Sequence, residues 1–105
     1  MKILIICLLF LVGANVYAET THEECTRVHD TALVVMKMRQ DGIPIKKQMD
    51  VVEKTGGISN KGSGVLVEMI VEAYETDQFQ TEKYKNTSAT EFANKWYLAC
   101  VKSYK

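Results

Sequence analysis

The sequence predicts an all-α protein, a compact bundle of about four helices. Its first and last helices are expected to run antiparallel, joined by a Cys25–Cys100 disulfide. Three observations point this way. Apolar residues recur at three- and four-residue intervals in four separate segments, and no segment alternates as a half-buried strand would. Glycine, proline and short polar clusters fall between those segments. Finally, Cys25 and Cys100 sit near opposite ends of the chain, each on the apolar stripe of its own helix.

The N-terminus comes first. Lys2 precedes an apolar run from Ile3 to Val12, and Val16-Tyr17-Ala18 gives a small-x-small exit. This is the pattern of a secretory signal peptide over residues 1–18, with Glu19 as the first mature residue. The run is shorter than the roughly 20 apolar residues of a membrane-spanning helix. Removing 18 of the 105 residues leaves 87, enough for a single helical domain over residues 19–105. Cleavage removes only Lys2 of the 13 basic residues and none of the 13 acidic ones, so the net charge becomes −1. A near-neutral chain argues against nucleic acid as a partner. No lipidation motif surrounds Cys7 or Cys25, so no stable membrane anchor is expected, and the protein is placed in the periplasm or outside the cell.

The first helix is expected to begin at Thr21, whose hydroxyl forms a capping box with Glu24, and to end near Gln40. Cys25, Val28, Ala32, Val35 and Met36 make its apolar face, and Asp41-Gly42 stops it. Pro44 suits the first turn of a second helix reaching about Lys54, with Ile45, Met49 and Val52 as its apolar positions. Thr55 to Ser63 is glycine-rich and polar and reads as a connecting loop, since it lacks the spacing of a phosphate-binding loop. A third helix, from about Gly64 to Glu75, is the most apolar and is expected to be central. Thr81 caps a long fourth helix that ends near Tyr104, with Ala89, Phe92, Ala93, Trp96 and Cys100 in one stripe.

Two cysteines in a small exported domain suggest one disulfide. A bond between Cys25 and Cys100 would add roughly 4–5 kcal/mol in the chain-entropy model, comparable with the whole stability of a small domain. Two free thiols or a shuttling redox pair are the alternatives, and the chain has no Cys-x-x-Cys.

Residues that could carry chemistry are few. His22 and His29 lie seven apart, too far to chelate one metal ion, and no second cluster completes a site. Glu68 and Glu72 share a helix face but read as a solvated surface, and no nucleophile elbow occurs. The expectation is a non-enzymatic protein with no catalytic, cofactor or metal residues. Tyr74, Phe79, Tyr84 and Tyr104 are harder to bury together in so small a body and form a candidate contact surface. Asn86-Thr87-Ser88 matches a glycosylation acceptor inside the predicted fourth helix.

Cys25, Met36-x-x-Arg39-Gln40-x-Gly42-x-Pro44, Glu72-Ala73-Tyr74 and Phe92-x-Asn94-x-x-Tyr97-x-Ala99-Cys100 together resemble a group of small exported bacterial proteins of uncharacterised function. That resemblance implies a periplasmic or secreted helical domain with a terminal disulfide and assigns no activity. The chain is more loosely similar to periplasmic immunity proteins against amidase effectors of type VI secretion. They too are helical and cysteine-clamped, with a Gly-hydrophobic turn like Gly42-Ile43, but their additional cysteines are missing here. The expected function is contact with a protein partner, as an inhibitor or immunity-type factor. A stress chaperone or a small-ligand carrier is the alternative.

Overall fold

In a computed structural model the backbone is described for residues 2–54 and 61–104, and side chains for residues 21–54 and 64–104. Four helices follow in order: α1 (Lys2–Gln40), α2 (Ile45–Lys54), α3 (Lys61–Glu75) and α4 (Glu82–Ser103), with no strand among the described residues. The all-α bundle is therefore the fold.

Two helix starts differ from the sequence reading. α1 begins at Lys2 and passes through Thr21 without a break, rather than starting there. From Ala14 to Gln40 the chain holds no glycine or proline, so nothing interrupts the ladder of backbone hydrogen bonds once it has formed. The Thr21–Glu24 capping box is thus interior while the first eighteen residues are attached. α3 begins at Lys61 rather than Gly64, so Lys61, Gly62 and Ser63 belong to a helical turn and not to the loop. The rest of that loop, residues 55–60, lies outside the described residues.

The end of α1 is built as expected, with more precision than spacing alone conveys. Ile43 N–H donates to Met38 O (3.0 Å) and Gly42 N–H to Arg39 O (3.1 Å), the two bonds of a Schellman cap. Gly42 takes φ +83°, a left-handed conformation that side chains with a Cβ resist. Pro44 then precedes α2, and its carbonyl accepts from Lys47 N–H. At α4, the Thr81 hydroxyl accepts from Tyr84 N–H (3.3 Å), so Thr81 caps that helix.

α1 packs most extensively on α4, and α3 packs on both α1 and α2. The core joins Ala32, Val35 and Met36 of α1 to Met69, Ile70 and Ala73 of α3 and Ala89, Phe92 and Ala93 of α4, with Val52 contributed by α2. Four of those residues are alanines, which let the helix axes approach closely. The antiparallel pairing of α1 and α4 is closed by the Cys25–Cys100 disulfide, whose Cα atoms lie 5.5 Å apart. Nearby, Tyr104 Oη bonds Glu24 and Tyr97 Oη lies 3.3 Å from His22 Nδ1. A disulfide in this position fits an oxidising compartment. Among the described residues no helix is long and apolar enough to cross a membrane.

Candidate functional site

The C-terminal end of α1 grips the turn between α3 and α4, and this grip shapes the site. Arg39 donates from Nε and Nη2 to Thr76 O (3.2 and 3.1 Å). Gln40, 1% exposed, donates from Nε2 to Asp77 O (2.9 Å) and accepts Phe79 N–H at Oε1 (2.8 Å). Gln78 returns a bond to Gln40 O (3.3 Å). A polar side chain can be buried this deeply because its partners are backbone groups that would otherwise be unsatisfied in the turn.

The grip delivers Phe79 to the mouth of a groove between α3 and α4. Its ring centroid lies 6.1 Å from that of Tyr84, which stands on the first turn of α4 and is 57% exposed. Met36 of α1 and Phe92 of α4, both buried, line the groove with them, and its volume is about 390 Å³. Thr76, Thr87, Ser88, Glu72, Glu91 and Lys95 supply the polar lining. Lys95 is ion-paired with Glu72 across the two helices. Glu91 has no ion-pair partner among the described residues, so the groove carries one uncompensated carboxylate. Thr87 Oγ1 is occupied within the helix by Lys83 O (2.9 Å).

The four aromatics expected to share a surface are separated by the fold. Phe79 and Tyr84 meet in the groove. Tyr74 turns inward: its hydroxyl donates to Ile43 O, accepts from Gln48 Nε2 (2.9 Å), and its ring lies 5.3 Å from the Arg39 guanidinium. It holds the Schellman turn against α3. Tyr104 stands at the far end of the molecule beside Glu24 and the disulfide. The polar anchoring by Arg39, Gln40 and Gln48 has no clear signal in the sequence, since a glutamine on a helix does not show what backbone it will reach. The Arg39-Gln40 pair, one residue before Gly42-x-Pro44, is the available hint.

Elsewhere the ionisable groups stay dispersed. His29 Nδ1 lies 2.9 Å from Asp30 Oδ1, and its ring packs edge-on to Tyr97 at 6.2 Å between centroids. Among the described residues no group of three or more His, Cys, Asp or Glu side chains is placed to hold a metal ion. Glu72 is engaged by Lys95. Compared with known proteins, the chain matches no family model, no curated protein and no solved structure.

Proposed function

We propose that this is an exported protein of the periplasm or cell exterior that works by holding one protein partner on its α3–α4 face, as an inhibitor or immunity-type factor does. The observation that carries the reading is the Phe79–Tyr84 pair, set over an apolar floor and beside the uncompensated Glu91. Half-exposed aromatics around a concavity are the usual anchors of a protein interface, because they offer a large contact area at little cost in side-chain entropy. Leu98, 53% exposed, follows Glu91 by seven residues and so continues the same face of α4. From Tyr84 to Leu98 that face extends about 21 Å at 1.5 Å per residue.

Export is supported by the signal pattern at the N-terminus and by the disulfide that the chain closes. The test is affinity capture with the oxidised protein from envelope and culture fractions, beside the Tyr84→Ala variant. One stoichiometric partner is expected, with binding reduced about thirtyfold in the variant, equivalent to roughly 2 kcal/mol for a central tyrosine. A broad client set captured only at acid pH would replace this reading with that of a stress chaperone. A partner held equally by both proteins would move the interface elsewhere.

A further inference from the structure

A different side of α1 carries a second concavity, of about 370 Å³, and we propose that it is a binding site for a small apolar amine, an alkyl or aryl body with a cationic head. The volume lies within the range of small-ligand sites, about 300–1,000 Å³. Residues of three helices, α1, α2 and α3, line this open hollow. Val34 of α1 and Val51 of α2 remain 54% and 53% exposed on its walls, while Ile70 of α3 is buried at 1%. Such a wall gains from an apolar occupant through the water it releases.

The polar lining selects the head group. Gln48, 4% exposed, gives both of its amide hydrogens away, to Val35 O (3.1 Å) and Tyr74 Oη (2.9 Å). What it can still offer a ligand is its carbonyl oxygen, an acceptor. Among the described residues the only charged side chain lining the hollow is that of Asp30. Its Oδ1 meets His29 Nδ1, which leaves Oδ2 for a bound donor. Among the described residues no lysine or arginine lines the hollow; Arg27 borders a separate, smaller one of about 240 Å³. An apolar cavity whose polar groups are a carboxylate and an amide oxygen favours a donor over an acceptor and a cation over an anion.

The experiment is a methyl-resolved NMR titration of the oxidised full chain with n-octylammonium and, separately, octanoate. Octylammonium is expected to shift the Val34, Val51, Leu66 and Ile70 methyls saturably, at lower concentration than octanoate. Asp30→Asn should weaken octylammonium about two- to fivefold, since the carboxylate is solvent-exposed, and leave octanoate unchanged. A Val51→Lys change at this exposed wall should weaken octylammonium and narrow or reverse its preference over octanoate. The proposal is overturned by shifts centred on Phe79 and Tyr84, by absence of saturation, or by equal binding of the two compounds. Saturation by an amphipathic helical peptide alone would also overturn it, by assigning the hollow to a macromolecular partner.

Discussion

Gln40 shows how one side chain can link the fold to the site. Its amide satisfies Asp77 O and Phe79 N–H, so it fixes the turn that presents Phe79 to the groove. Gln40→Ala would leave those two backbone groups without their partner and open a small void beside Met36. A loss of about 2–3 kcal/mol is expected, seen as a lower urea midpoint at unchanged slope. Trp96 shows the opposite case. Its indole Nε1 is buried with no hydrogen-bond partner among the described residues, a cost of about 1–3 kcal/mol that its ring contact with Phe92 helps to offset. The sequence placed Phe92, Ala93 and Trp96 on one stripe correctly, because spacing decides which side of a helix is apolar. It did not reveal the grip of Arg39 and Gln40, because their partners are carbonyls thirty-seven residues away. Arg39 and Gln40 grip the turn between α3 and α4, while Gly42 and Tyr74 build the Schellman turn that ends α1.

At the scale of elements, the pairing of α1 with α4 governs stability. Their stripes meet through Ala32, Met36, Ala89 and Ala93, and the Cys25–Cys100 bond closes a loop with a sequence separation of 75. Reduction of that bond is expected to lower unfolding free energy by about 4–5 kcal/mol. Thermal melts with and without reductant, read by far-ultraviolet circular dichroism, check this. A reduced protein that melts at the same temperature would mean that packing alone holds the two helices. This pairing was legible in advance because two independent patterns, apolar period and cysteine position, required the same geometry. The helix starts were less legible. Caps such as Thr21 act only where the preceding residues leave the helix, and nothing in the chain before Thr21 forces that.

For the molecule as a whole, the packing of the four helices leaves, among other hollows, two grooves of similar size and different chemistry. One, between α3 and α4, is aromatic and acidic; the other, against α1 and α2, is almost wholly apolar. The sequence groups four aromatics by count alone, and the fold brings only Phe79 and Tyr84 together: hydrogen bonding draws Tyr74 to the core edge, and the antiparallel pairing of α1 and α4 places Tyr104 beside the disulfide.

The central claim is that the Phe79–Tyr84 groove is where a protein partner sits. The most direct measurement is photo-crosslinking in the native cell, with p-benzoylphenylalanine placed at position 84 and, as a control, at exposed position 90 on the other side of α4. One discrete adduct from position 84 and none from position 90 is the predicted result. Adducts from both positions alike, or from position 90 alone, would contradict it.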